Sequence, residues 1–474
     1  MEEKMTLVSF SFWLVFPVIF LVYWLIPRRL ETARKGWLVL VSYLLYMNWK
    51  PAFALVLLYV TVVTFFGALS FGRAGSRKKT LGWASALLAL APLVVFKYYN
   101  FLNSSLSAGL EAAGLRFSLP GLNWAVPIGL SFFSFQATGY LFDVYRGQVP
   151  AERNFLDYLL FVSFFPQITS GPISKASEFL PQIKALPPFS FDQGKQGLKY
   201  LLWGLFIKMV IADRLGLFVD SVYADYPAHN GTTLFVTNLF YSLQIYCDFA
   251  GYSLLAIGLG RLLGFNLVNN FRRPYFAVSI TDFWRRWHIS LTRWLKENIY
   301  IPLGGNRCSR ARCCFNILIT FLVSGIWHGA AWTFILWGVL HGLIQVLEKM
   351  LGIARYEGTN PAVRVFRMVC TFLIVNFAWI LFRSPYLPTA GAFFGRMFSS
   401  VGVPAVSEMG GAVLLILAFS ISILAFKELR EEFFPRKIAF LDSRVFRGIA
   451  YVSLFCMTLL FGVLDGGQFI YASF

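Results

Sequence analysis

Two histidines carry residue types and settings suited to proton transfer, the chemistry an imidazole performs near neutral pH. His328 lies in Gly325-Ile326-Trp327-His328-Gly329-Ala330-Ala331-Trp332, between two strongly apolar runs. An ionisable side chain at membrane depth costs ~2.5 kcal/mol or more when charged, so such a residue is a functional candidate by default. Gly325 and Gly329 leave room for a second backbone or a ligand to approach. The competing reading is a neutral histidine that joins two helices by hydrogen bonds. His288 lies in the segment from Thr281 to Glu297, TDFWRRWHISLTRWLKE. At 100° per residue this segment sorts as one amphipathic helix. Phe283, Trp284, Trp287, Leu291, Trp294 and Leu295 share one arc, with Asp282, Arg285, Arg286, Arg293, Lys296 and Glu297 opposite. His288 sits at the edge of the apolar arc. The helix reads either as an interfacial anchor with arginines on lipid phosphates or as the lining of a site open to the cytosol.

The other chemistry-bearing residues are fewer. His341 is 13 positions beyond His328, nearly the opposite face of a single helix, so the two cannot form an adjacent pair on one helix. His229 follows Pro227 in a polar loop and reads as surface. Asp248, in Tyr246-Cys247-Asp248-Phe249-Ala250-Gly251-Tyr252, is expected to pair with Arg272 or Arg273 or to orient a histidine. Gly304-Gly305 enforce a turn but lack a Walker or dinucleotide pattern around them. Cys308, Cys313 and Cys314 have neither the paired spacing nor the histidines of a zinc site, so no metal is expected. No nucleophile elbow and no HExxH occurs. Proton transfer at a group-transfer site is what remains.

These residues must be positioned by membrane helices. Of 474 residues 57% are hydrophobic and only 14% charged, against roughly 25% charged in a soluble globule. The 51 Phe, 21 Tyr and 14 Trp exceed what a water-facing skin can cover. An all-α polytopic membrane protein is expected; a disordered chain and a large soluble domain are excluded. The net charge of +19 would suggest nucleic acid in a soluble protein. Here it reads as the cationic bias of cytoplasmic loops, with the lipid bilayer as partner and no nucleic acid. Apolar runs at 8–26, 36–49, 52–72, 81–96, 125–142, 155–170, 198–219, 233–265, 315–327, 329–347, 366–382, 411–426 and 447–464 predict about ten to twelve crossings plus one or two re-entrant or half-length helices. The first run lacks a basic leader and a cleavage site, so it reads as a transmembrane helix rather than a signal. Arg28, Arg29, Arg34 and Lys35, then Arg73, Arg77, Lys78 and Lys79, form two basic loops separated by two crossings. Both are expected in the cytosol, which places the N-terminus outside. The chain reads as one integral-membrane domain, 1–474, with 266–314 as a basic cytoplasmic-side segment. Between Arg272 and Arg312 that segment holds nine Lys/Arg and two acids.

Taken together, these motifs resemble the membrane-bound O-acyltransferase family. The Trp284–His288 block running into Tyr300–Arg307, and Trp327-His328-Gly329, look like its two histidine signatures. Pro127-Ile128-Gly129-Leu130-Ser131-Phe132, the stretch from Phe165 to Ile173, and Asp248 to Ser253 resemble its bacterial alginate O-acetylation branch. The match covers roughly 5–385 plus the closing Phe469-Ile470-Tyr471. The resemblance implies a ring of helices around a membrane-embedded funnel in the bacterial inner membrane. It implies that His328 is catalytic, and that His288, at a position that is often Asn elsewhere in the family, assists. A phosphate-rich cytosolic thioester such as acetyl-coenzyme A would be the donor and no cofactor would be held. The basic rim with Arg272, Arg273, Arg285, Arg286 and Trp284 would capture that donor, while Asp248 and Trp327 support the site. Relatives resemble one half of a pair, and no extracytoplasmic stretch here is large enough for a glycan and a Ser nucleophile. A periplasmic Ser-type acyltransferase partner is therefore expected. Two rivals stand beside this reading. One is export of a D-alanyl group from an acyl carrier protein for teichoic acid modification. The other is a transporter or lipid flippase without chemistry, which should show an inverted repeat; none is found.

Overall fold

The apolar runs fold as helices because in lipid every backbone N–H and C=O must be paired within the segment. A computed structural model describes residues 4–73, 75–115, 118–355, 360–434 and 443–463, and no strand occurs among them. The closing Phe469-Ile470-Tyr471 lies outside the described residues. In chain order the α-helices are α1 (Phe10–Leu25), α2 (Glu31–Met47), α3 (Pro51–Ser70), α4 (Lys78–Leu93), α5 (Tyr99–Ala112), α6 (Leu130–Tyr145), α7 (Phe155–Ser163), α8 (Phe165–Ile168), α9 (Ala176–Lys184) and α10 (Phe191–Leu205). There follow α11 (Asp213–Ala224), α12 (Gly231–Leu262), α13 (Ile280–Arg286), α14 (Ile289–Leu295), α15 (Arg310–His328), α16 (Trp332–Met350), α17 (Pro361–Arg383), α18 (Leu387–Met397), α19 (Gly411–Phe433) and α20 (Arg444–Phe461).

Among the described residues six helical stretches are long and apolar enough to cross a membrane: Pro51–Ser70, Gly75–Ala112, Arg310–His328, Pro361–Arg383, Gly411–Phe433 and Arg444–Phe461. The pair α1 and α2, bent by 105° at its break, makes a seventh if taken as one span. Several other runs of the expected ten to twelve have local interruptions. The run at 155–170 breaks at Phe164 into α7 and the four-residue α8. The run at 198–219 passes through a π-helical stretch, Phe206–Ala212. The run at 233–265 is one 32-residue helix, α12, whose buried Asn238, Gln244 and Asp248 interrupt its apolar surface.

Contacts divide the chain into two compact units, 1–197 with 256–268, and 198–255 with 269–474. In the first, two residues of the expected cytoplasmic basic loop have another task. Arg34, only 4% exposed, donates to the carbonyls of Ile26 at 2.7 Å and Trp24 at 3.3 Å. It thereby satisfies carbonyls that the end of α1 leaves unpaired. Lys35 forms a buried ion pair with Asp157 at 2.8 Å. Arg28 and Arg29 are exposed, as the loop reading requires.

The second unit carries the histidines. α15 and α16 form a helical hairpin in which small residues let the backbones touch. A Cβ on Gly325 would collide with the Phe334 carbonyl oxygen, and one on Gly338 with the Phe321 carbonyl oxygen. α12 and α17 are joined by a buried amide exchange. Asn238 donates to Asn376 at 2.8 Å, and Asn376 donates back to the Asn238 carbonyl at 3.0 Å and to Ser242 at 2.7 Å.

Candidate functional site

The segment around His288 is not one helix. α13 stops at Arg286, Trp287 is extended, and His288 adopts the left-handed conformation with φ +43° before α14 begins. Left-handed backbone is uncommon for a residue with a Cβ and is held only where its surroundings fix it. The 267–273 connection does so here. The Asn270 carbonyl accepts from Ile289 N at 2.9 Å, its side-chain oxygen accepts from Ser290 N at 3.1 Å, and Arg272 N donates to the Arg286 carbonyl at 2.9 Å. The break turns the imidazole inward, so His288 is 0% exposed rather than at the rim of an amphipathic face. Its ring meets Phe249 edge-on at 4.7 Å and Trp327 at 5.7 Å. Burial among these rings pushes its pKa down to about 3, which keeps the imidazole neutral.

His328 is the last residue of α15 and is 2% exposed. Its ring lies 4.9 Å from Trp327, 4.9 Å from Trp337 and 5.3 Å from Phe382. Trp327 thus stands between the two signature histidines. The chain turns at Gly329–Ala331, so His341 is carried on α16, antiparallel to α15, and the single-helix argument that kept it away from His328 does not hold. His341 also meets Trp337 at 4.9 Å. Trp284, expected at the donor face, is buried, and its indole N–H donates to His341 Nδ1 at 3.3 Å. Seven positions further along α16, Glu348 accepts from Ile280 N, Thr281 N and Thr281 Oγ1 at 2.5, 2.9 and 2.8 Å. A carboxylate at a helix N-terminus answers donors that the helix cannot pair itself. α13 is therefore fixed to α16 at both ends.

The ion pairs differ from the expected set. Asp248 pairs with Lys208 at 2.5 Å, not with Arg272 or Arg273, and Lys208 also holds Asp213 at 2.5 Å. All three lie on α12 and on the segment running through the π-helical stretch into α11, inside the protein. Arg273 and Arg286 both bind Glu432, at 2.9 and 3.0 Å; Arg273 also reaches Glu431 at 3.3 Å, and Arg286 reaches Asp282 at 3.0 Å. Those two arginines are occupied by the acidic end of α19. Arg272 and Arg285 are exposed and make no ion pair among the described residues. Of the expected rim they are the cations presented outward. Gly304 and Gly305 sit at φ +114° and +54°, which glycine alone adopts easily. The Gly305 carbonyl accepts from the thiols of Cys308 and Cys313.

Sequence reasoning missed Lys208, Asn270, His341, Trp337 and Glu348. Lys208 had a usable signal, a lone cation inside an apolar run. Asn270 and Glu348 had none.

Comparison with known proteins places this site in context. The family model of the membrane-bound O-acyltransferase family matches residues 146–384, which include all of the histidines above. A protein of Pseudomonas syringae pv. tomato named "Probable alginate O-acetylase AlgI" is 38% identical over 420 residues, covering 87% of this chain and 78% of that protein. The "Peptidoglycan O-acetyltransferase" of Helicobacter pylori is 35% identical over 79% of this chain and 76% of its own length. The "Teichoic acid D-alanyltransferase" of Streptococcus thermophilus is 27% identical over 62% of this chain and 70% of its own length.

Proposed function

The chain belongs to the membrane-bound O-acyltransferase family and is a multi-pass membrane O-acyltransferase, and from that premise we propose that it moves an acetyl group from a cytosolic thioester donor across the bacterial inner membrane to O-acetylate an exported polysaccharide. The observation that carries the reading is the placement of His328. It is a buried imidazole at the C-terminal end of a membrane helix, walled by aromatic rings and separated from His288 by one indole. A neutral imidazole there takes the proton of an incoming hydroxyl, whose oxygen adds to the thioester carbonyl; the thiolate then leaves and takes the proton back. The imidazolium formed in between lies at the negative end of α15, which stabilises it by about 0.3–2 kcal/mol. His288 stays neutral and positions the reacting groups. Arg272 and Arg285 draw the anionic donor to the cytosolic side, while Arg273 and Arg286 shape the rim through Glu432. Acetyl-coenzyme A fits this arrangement as donor, and a periplasmic Ser-type acyltransferase fits as the partner that receives the group.

The relatives named for O-acetylation match at 35–38% identity over most of the chain, and the D-alanyl-transferring relative at 27% over less of it. This supports acetyl over D-alanyl. The test is replacement of His328 by Ala in cells whose only copy is the variant. Full-length protein should accumulate and the acetyl content of the exported polysaccharide should vanish. Wild-type acetylation would remove His328 from the mechanism. In parallel, Arg272→Gln with Arg285→Gln should weaken acetyl-coenzyme A binding, as should rising salt.

A further inference from the structure

The geometry points to His341 and Trp337 as a pair of hydrogen-bond donors that hold the acyl carbonyl oxygen beside His328. The inference rests on the reading of His328 as the residue that activates the hydroxyl. It starts from one hydrogen bond. An indole nitrogen can only donate, so the 3.3 Å contact from Trp284 Nε1 makes His341 Nδ1 the acceptor. The proton of the neutral ring is then on Nε2. His341 Nε2 has no hydrogen-bond partner among the described residues, and neither has Trp337 Nε1. Both side chains are 0% exposed, so bulk water does not serve them.

Buried donors are almost always paired. Trp337 and His341 touch, with ring centroids 4.9 Å apart, so their two N–H groups without an acceptor mark a place for an acceptor brought by a ligand. The cluster also shows which ligand. The Trp337 ring lies 4.9 Å from His328 and 4.9 Å from His341, so these donors border the residue assigned to the chemistry. The group that must sit there is a thioester carbonyl. When the hydroxyl oxygen bonds to its carbon, the π pair moves onto the carbonyl oxygen, and that negative charge needs fixed N–H donors in a dry site. Collapse re-forms the C=O bond and expels the thiolate, which takes the proton held by His328. The Trp284 bond then has a purpose beyond packing. It fixes the tautomer that puts a proton on Nε2, and it does so from the same short helix that leads to His288.

The two amides separate this role from a structural one. The side-chain amide of Asn overlays the Nδ1 position of histidine, and that of Gln overlays Nε2. His341→Asn keeps an acceptor for Trp284 and loses the Nε2 donor, whereas His341→Gln keeps the donor and loses the acceptor. Trp337→Phe keeps a ring against both histidines and removes the donor. The readout is alkali-releasable acyl ester on the exported glycan of cells carrying each full-length variant, normalised to protein in the membrane. Trp337→Phe should lose about 100-fold, and His341→Gln should exceed His341→Asn by roughly tenfold. Equal amides, or Asn above Gln, would overturn the donor role, as would wild-type product from Trp337→Phe. Should Trp337→Phe fail to accumulate, the comparison at His341 decides alone. His328→Ala is measured beside them. If it alone is inactive, the donor pair fails and His328 stands; if it is active, the His328 reading fails.

Discussion

Replacing Lys208 by Met tests whether the buried triad under the site is a support. Lys208 stands between Asp213 and Asp248, both at 2.5 Å and all three nearly unexposed. The formal charges sum to minus one in the wild type and to minus two in the variant. Taking one partner out of a buried pair costs about 3–5 kcal/mol, because the remaining charge has neither water nor a counterion. A stability change of 1 kcal/mol moves the unfolding midpoint by roughly 2–4 °C in a domain of 150–250 residues, so Lys208→Met should melt about 6–20 °C lower. The residue after Asp248 is Phe249, whose ring holds His288 at 4.7 Å, so acyl transfer should fall with stability. Adding Asp213→Asn and Asp248→Asn leaves no buried charge in the triad and should recover most of the lost midpoint. The assay is thermal denaturation of the detergent-solubilised protein, followed by size-exclusion fluorescence. A single variant that melts with the wild type, or a triple variant no better than the single, would refute the charge argument.

His288 predicts a pH dependence with a definite sign. Its folded-state pKa is depressed to about 3, so its contribution to stability is whole above the unfolded-state value of about 6.5 and declines as pH falls below it. Between pH 6.5 and pH 5 the decline is about 2 kcal/mol at 1.36 kcal/mol per unit. His288→Asn tolerates the left-handed backbone and should flatten the midpoint-versus-pH curve over that window; parallel curves for wild type and variant would count against neutral burial. Glu348→Ala removes the cap from α13 and should cost about 1–2 kcal/mol, whereas Glu348→Gln keeps one acceptor and should cost less. Midpoints measured at pH 7.5 check both, and an alanine variant as stable as the wild type would show that α13 needs no clamp.

The buried setting of His328 was legible in the sequence because its signal is local: one ionisable residue between glycines in an apolar run. The membrane class was legible for the same reason, since composition is a sum over single residues. What was not legible depends on pairs far apart in the chain. Asp248 carries no mark of whether its cation is Lys208, forty positions before it, or Arg273, twenty-five after it. Arg273 and Arg286 look like free rim cations until Glu432, 159 and 146 positions on, is placed against them. The break at His288 is the plainest case. Neither glycine nor proline marks it, and the periodicity of Phe283 to Leu295 continues through it. The backbone there is held by Asn270, whose two oxygens supply the hydrogen bonds that a continued helix would have made. An amphipathic pattern therefore misled on the exposure of His288, because the aromatic arc packs against protein and not against lipid. His341 failed by the opposite route. Its face was worked out for a single helix, but Gly329–Ala331 end α15 and reverse the chain, bringing positions 328 and 341 both against Trp337. In both places helical arithmetic broke down where the chain departs from a helix to assemble the site. Those departures are held by tertiary hydrogen bonds in the folded chain, not by the propensities of the residues that make them.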